Sequence, residues 1–118
     1  MSIPSTLSEL KQSAIERMRN YQESVNGPSS SMVRYVGKCD VLLETFLQRL
    51  VEAKGDTPAI MAAAETAVLA INALNDRADG GLIETGERED LCELIDQACA
   101  WAGLDIGEGD VAGNWREW

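Results

Sequence analysis

The chain has 118 residues, of which 45% are hydrophobic and 25% charged, and its formal net charge at pH 7 is −10. A domain of this length buries roughly two-thirds of the surface that its unfolded chain exposes, so we expect one hydrophobic core. Histidine is absent, which excludes the commonest general base, Ser-His and Cys-His nucleophile pairs and most zinc sites.

The first predicted helix starts at Thr6, because the Thr-Leu-Ser-Glu sequence of residues 6–9 has the form of a capping box. Apolar residues recur from there at steps of three and four, and the Asn-Gly-Pro sequence of residues 26–28 ends the helix. This stripe consists of Ile3, Leu7, Leu10, Ala14, Met18, Tyr21 and Val25.

The second predicted helix follows the serine caps of residues 29–31 and ends at Gly55. Its apolar stripe is wide enough to face two neighbouring helices, so we expect this helix to be the central element of the core. The stripe consists of Met32, Val36, Cys39, Leu43, Phe46, Leu50 and Ala53, widened by Tyr35, Leu42, Leu47 and Val51.

Two further helices are predicted in the second half of the chain. Thr57, with a proline behind it, caps an alanine-rich helix that a neighbour can approach closely, and the Asp-Gly-Gly sequence of residues 79–81 ends it. After a short extended link at residues 82–84, Thr85 caps the fourth helix and Gly103 ends it.

The predicted fold is an all-α antiparallel helical bundle, since four helices are joined by short links and no strand-like alternation or internal repeat is present. Residues 1–104 form the bundle, and residues 105–118 form an irregular acidic tail. Gly107, Gly109 and Gly113 prevent a stable helix throughout this tail. At most a short turn is expected, at residues 114–118.

The three cysteines, Cys39, Cys92 and Cys99, indicate a reducing compartment, because they are odd in number and lie in or beside apolar stripes. No secretory signal pattern is present near the N-terminus. We also expect no transmembrane helix, because no window approaches about 18 apolar residues. The expected localisation is therefore cytoplasmic, without membrane insertion.

Almost all of the net charge lies in the last part of the chain. Residues 79–118 hold 11 acidic residues against Arg88 and Arg116, a net of −9, whereas residues 1–78 have a net of −1. Such a field attracts basic partners, although an acidic surface can also serve solubility alone. Direct nucleic-acid binding is not expected, because the basic residues are scattered, but mimicry of nucleic acid against a basic nuclease is compatible with the charge.

The sequence predicts no cofactor and no metal site. The acidic segment at residues 105–110 lacks the alternating oxygen ligands and the closing glutamate of an EF-hand loop. Residues 80–81, Gly-Gly, are not followed by the Lys-Ser or Lys-Thr of a phosphate-binding loop.

The tail carries two tryptophans, Trp115 and Trp118, which a helical turn would place on one face. Three interpretations are open. The rings pack into a groove of the bundle, or they form an exposed anchor, since tryptophan is enriched at binding hot spots, or this end of the chain is disordered.

Residues 74–77, residues 81–91 and the closing Trp-Arg-Glu-Trp of residues 115–118 resemble small acidic helical bacterial proteins that act as immunity partners of secreted toxins in contact-dependent competition. The resemblance implies a cytoplasmic stoichiometric inhibitor that caps the active site of a toxin. It assigns no role to an individual residue.

We therefore predict a non-enzymatic inhibitor, an immunity protein that binds a toxin or effector domain with a basic surface, and neither a nucleic acid nor a membrane. The alternatives are a small acidic secretion chaperone or adaptor with an apolar groove, and an enzyme that uses carboxylates as metal ligands. The expected partner-binding residues are Asp79, Glu84, Glu87, Glu89 and Asp90 for electrostatic steering and Trp115 and Trp118 as anchors.

Overall fold

A computed structural model describes residues 2–118, in which four α-helices and one short 3-10 helix are present and no strand occurs. The helices are α1 (Ser5–Asn26), α2 (Ser31–Ala53), α3 (Thr57–Arg77) and α4 (Thr85–Ala102), and the 3-10 helix spans Val111–Asn114. The predicted all-α helical bundle is thus confirmed.

Helix α2 lies at the centre of the bundle, because it contacts α1, α3 and α4. Phe46, in the middle of α2, is only 1% exposed, and Leu43 and Leu50 on the same stripe have no exposed surface. The central position predicted for this helix is confirmed. Helix α4 is also central, since it contacts the three other α-helices and, in addition, the 3-10 helix.

An ion-pair cluster joins α1 to α2 at the surface. The Lys11 Nζ lies 2.8 Å from an Asp40 carboxylate oxygen and 3.1 Å from a Glu44 carboxylate oxygen. Burial lowers the pKa of Lys11, but the hydrogen bonds to these carboxylates outweigh it and raise the pKa above 10.5. A hydrogen bond from Gln48, together with the one from Lys11, lowers the pKa of Glu44 below 4.5.

The start of three helices differs from the sequence-based prediction. Helix α1 begins at Ser5, because the carbonyl oxygen of Pro4 accepts the first hydrogen bond, from the Leu7 N–H at 3.1 Å. Pro4 occupies the cap position and makes no side-chain cap. Asp56, not Thr57, caps α3 by accepting from the Ala59 N–H at 3.2 Å. Glu84 precedes α4 without a side-chain cap, and the next residue, Thr85, already belongs to the helix.

The apolar stripe predicted for α1 is buried only in part. Met18 has no exposed surface, whereas Tyr21 is 39% and Val25 is 59% exposed. Gln22 takes the buried position in this last part of the helix, and its amide donates to the Gly81 carbonyl oxygen at 2.9 Å. A polar residue thereby fastens α1 to the link that precedes α4.

Helix α3 is long and apolar enough, by length and composition alone, to cross a membrane. The expectation that no window of the sequence approaches the apolar length of a membrane span was therefore wrong. This is weak evidence for a membrane span, because the core helix of a soluble protein passes the same test. In this fold Ile60, Val68 and Ile71 of α3 have no exposed surface and belong to the core.

The tail packs against the bundle. Val111 and Ala112 are buried, and the 3-10 helix contacts both α3 and α4. The turn was predicted at residues 114–118, but the structure has it at Val111–Asn114. The reason is that the apolar pair Val111 and Ala112 packs in the core.

Candidate protein-binding surface

A buried asparagine on α3 holds the link between α3 and α4. The Asn75 side chain is 8% exposed. Its Oδ1 accepts hydrogen bonds from the main-chain N–H groups of Leu82, at 3.1 Å, and Ile83, at 3.3 Å. Leu82 and Ile83 are also buried, so without Asn75 their main-chain N–H groups would be shielded from water and would have no hydrogen-bond partner. Asn75 thus fixes the acidic link directly before Glu84.

A second buried asparagine, one turn earlier on the same face of α3, holds the end of the tail. The Asn72 Nδ2 donates to the Trp115 carbonyl oxygen at 3.0 Å, and its Oδ1 accepts from the Glu117 N–H at 3.0 Å. Asn72 and Asn75 are separated by about 4.5 Å along the helix axis. The link before α4 and the end of the tail are therefore held at neighbouring positions of α3, which the sequence does not reveal.

Asp96 of α4 holds the start of the 3-10 helix. Its carboxylate accepts hydrogen bonds from the N–H groups of Asp110 and Val111, each at 2.8 Å. The Asp110 side chain pairs with Arg116, and the Arg116 Nε lies 3.5 Å from the Asp110 Oδ1. Two of the acidic residues in the charged region therefore have structural roles that the charge pattern does not indicate.

Three of the predicted steering residues, Asp79, Glu84 and Glu89, are exposed. Within the described residues none of the three forms an ion pair. Asp90 differs, because its Oδ2 lies 2.8 Å from the Arg17 Nε and its side chain is only 24% exposed. Its charge is therefore balanced in part by α1.

Glu87 is buried, at 5% exposure, where the sequence analysis expects an exposed carboxylate. Its Oε1 has no hydrogen-bond partner among residues 2–118. Its place in the first turn of α4 lets the positive end of the helix dipole offset part of the cost of burying a charge. Glu87 consequently does not belong to the exposed acidic surface, which we define as Asp79, Glu84 and Glu89.

Trp115 and Trp118 are both half-buried and pack against the hydrophobic core. The Arg116 guanidinium lies 5.9 Å from the centre of the Trp118 ring, and its Nη1 donates to the Trp118 main-chain oxygen at 2.7 Å. The Trp118 Nε1 is buried without a partner within the described chain. Both rings thus cover the bundle and keep part of their surface exposed, and their role as anchors stays a prediction.

The cysteine thiols are poor nucleophiles in this fold. Burial raises the pKa of both Cys39 and Cys99 to about 12, and it also raises that of the half-buried Cys92. A thiol reacts as its thiolate, so burial makes these thiols less reactive near neutral pH than an exposed cysteine. Residues 2–118 contain no group of three or more cysteine, aspartate and glutamate side chains arranged to hold a metal ion.

A separate feature is an apolar groove between α2 and α3, which we call the α2–α3 groove. One part of it has a volume of about 690 Å³ and lies between the first half of α2 and the last turns of α3. Two smaller depressions continue it towards the opposite ends of the same two helices. The groove could not be predicted from the sequence, because the apolar residues on its walls belong to helices that were expected to bury them.

Comparisons of this chain with protein-family models, curated proteins and solved structures found no match. Function must therefore be inferred from the surface of the molecule.

Proposed function

We propose that this protein is a non-enzymatic inhibitor of the immunity type, which captures a toxin or effector domain with a basic surface. The observation that carries the proposal is the exposed acidic surface, whose three carboxylates form no ion pair within the described chain. These carboxylates lie on the α3–α4 link and the first turns of α4, beside the tail that carries Trp115.

Unpaired carboxylates on a rigid support suit capture of a basic protein. Their field accelerates encounter and orients the partner, while apolar contacts formed after encounter slow dissociation. Asn75 and Asn72 hold the link and the tail to one helix, so neither segment must be ordered when the partner binds. The exposed parts of Trp115 and Trp118 are the candidates for those apolar contacts.

The proposal predicts a toxin-like reading frame directly upstream of the gene, and the product of that frame is the partner in the test. Asp79→Asn, Glu84→Gln and Glu89→Gln are combined, and the association rate is measured by surface plasmon resonance at several salt concentrations. Asn is chosen at position 79 because Asp79 has φ 54, a left-handed conformation that Asn tolerates. We expect the rate to fall about tenfold at low ionic strength and the difference to shrink as salt is added.

The matched control removes the same number of charges elsewhere. Glu9, Glu16 and Glu52 are exposed and form no ion pair within the described residues. Their combined change to glutamine should affect the association rate much less. Equal rates for the two triple variants at every salt concentration would show that the acidic surface serves solubility only. Failure of the adjacent gene product to bind at all would contradict the inhibitor function itself.

Removal of residues 115–118 tests the anchors separately. If the tryptophans contact the partner, the truncated protein should dissociate faster while its association rate changes little. If it binds with unchanged rates and only melts at a lower temperature, Trp115 and Trp118 act solely in packing against the bundle.

The alternative function is a small secretion chaperone or adaptor, which the α2–α3 groove favours. Such a protein holds a segment of its client in an apolar groove instead of blocking a folded active site. Chaperones of this kind usually dimerise, so a monomeric mass by light scattering would count against this function.

A further inference from the structure

The α2–α3 groove combines an apolar floor with a basic rim. Its floor includes the small side chains Ala63, Ala67 and Ala70 of α3, and one of its walls includes Val41, which is 65% exposed. Small floor residues allow another element to approach closely. When another element packs in the groove, the exposed apolar wall is removed from water, and this burial favours binding.

Four basic side chains surround this floor, and all of them are exposed: Arg34, Lys38, Arg49 and Arg77. The ion pairs of the described chain use other basic residues, so no carboxylate lies within ion-pair distance of these four. Glu52, at one end, is the single acidic residue that lines the groove. In a protein with a net charge of −10, this is an unpaired basic rim.

The shape of the groove favours a helical occupant. Arg34 and Arg49 lie 15 residues apart on α2, so the basic rim extends over about 22 Å, or four helical turns. The walls are helices, whose main-chain groups are already bonded internally, and they offer no sheet edge to an extended peptide. A helix satisfies its own main chain and presents only side chains to the groove.

We infer that the α2–α3 groove binds an acidic amphipathic helix of a partner protein, with its apolar stripe on the alanine floor and its carboxylates against Arg34, Lys38, Arg49 and Arg77. This inference rests on the same groove as the alternative function and names the chemistry of its client. It is independent of the exposed acidic surface, which lies on the α3–α4 link and α4 and is formed by different residues.

The probe is a fluorescein-labelled synthetic helix of about 16 residues, a length of about 24 Å. It has leucines at helical spacing on one face and glutamates on both flanks of that face. A second peptide carries lysines in place of the glutamates. Fluorescence anisotropy at about 20 mM and about 150 mM salt measures both affinities, because exposed ion pairs weaken as salt increases. We expect the Glu peptide to bind more tightly than the Lys peptide by at least about tenfold at low salt.

A charge swap locates the site. Arg34→Glu combined with Arg77→Glu should weaken the Glu peptide by about tenfold or more and strengthen the Lys peptide. Arg19→Glu combined with Lys54→Glu changes the net charge equally, outside the groove, and should leave the ratio of the two affinities close to that of the wild type. Ala70→Phe fills the floor without a change of charge and should weaken the Glu peptide.

The inference is overturned if neither peptide binds, if both bind equally, or if the two double variants have the same effect. Binding of a single-stranded oligonucleotide that competes for the same rim would make nucleic acid the occupant and would also overturn it. None of these results depends on the toxin-like gene product that the inhibitor function predicts, so failure of the inhibitor function and failure of this inference are distinguished.

Discussion

Replacement of Asn72 by alanine should release the end of the tail from α3. The Asn72 side chain is 5% exposed and makes one hydrogen bond to the Trp115 carbonyl oxygen and one from the Glu117 N–H, both at 3.0 Å. A typical intramolecular hydrogen bond contributes about 0.5–1.5 kcal/mol to stability, so the two together contribute about 1–3 kcal/mol. The freed main-chain groups lie near the end of the chain and can bind water, so no further penalty is added.

Urea denaturation followed by circular dichroism measures the change in the free energy of unfolding. For a domain of this size the same loss corresponds to a fall in Tm of roughly 4–12 °C. Asn20→Ala is the matched control, because Asn20 is an exposed asparagine on α1. Both substitutions gain helix propensity to a similar extent, so the difference between them isolates the contacts of Asn72.

A double-mutant cycle decides whether these contacts act through the tail. In a chain without residues 115–118, Asn72→Ala should cost less than about 0.5 kcal/mol, because its partners are gone. An equal cost in the full and the truncated chain would refute the reasoning, since Asn72 would then act only through packing on α3.

Phe46→Ala should lower the free energy of unfolding by about 3–5 kcal/mol through lost burial and the cavity left behind, whereas Val41→Ala, at a residue 65% exposed, should change it by less than about 0.5 kcal/mol. Equal urea midpoints for the two variants would disprove the central position of α2. Lys11→Met should cost about 0.2–1 kcal/mol near neutral pH. Because hydrogen bonds from Gln48 and Lys11 hold the pKa of Glu44 below 4.5, the part of this contribution that comes from Glu44 is present above pH 4.5 and is lost as the pH falls through the lower folded pKa. The difference between Lys11→Met and wild type should therefore shrink on acidification, and a constant difference down to about pH 3 would contradict the assigned pKa direction.

The helices follow from local sequence. Apolar residues at steps of three and four define one face of each helix, and the end signal at Gly103 is confirmed by its left-handed φ of 114 and by the hydrogen bond from the Leu104 N–H to the Cys99 carbonyl oxygen at 3.0 Å. These signals act within about one or two turns. The starts of the helices were predicted less well, because several neighbouring residues can cap a helix and the sequence offered Thr57 beside Asp56.

The candidate surface depends on contacts that no local pattern contains. Asn72 forms hydrogen bonds with tail residues that lie 43 and 45 positions later in the sequence. Asp96 forms them with residues that lie 14 and 15 positions later. The apolar pattern predicted a helix at Asn72 and Asn75 without indicating that buried amides there would hold two other segments. The charge pattern of the sequence likewise does not distinguish the buried Glu87 and the paired Asp90 from the exposed acidic residues.

Composition and periodicity by themselves determined that the chain forms four helices around an aliphatic core and that most of its net charge lies near the C-terminus. Only the tertiary structure decided that Glu87 is buried, that Asp90 pairs with Arg17, and that four unpaired basic side chains surround the α2–α3 groove. The physical reason is that a helix is stabilised by hydrogen bonds between residues four apart, whereas the exposure and pairing of a charge are set by whichever distant element packs against it.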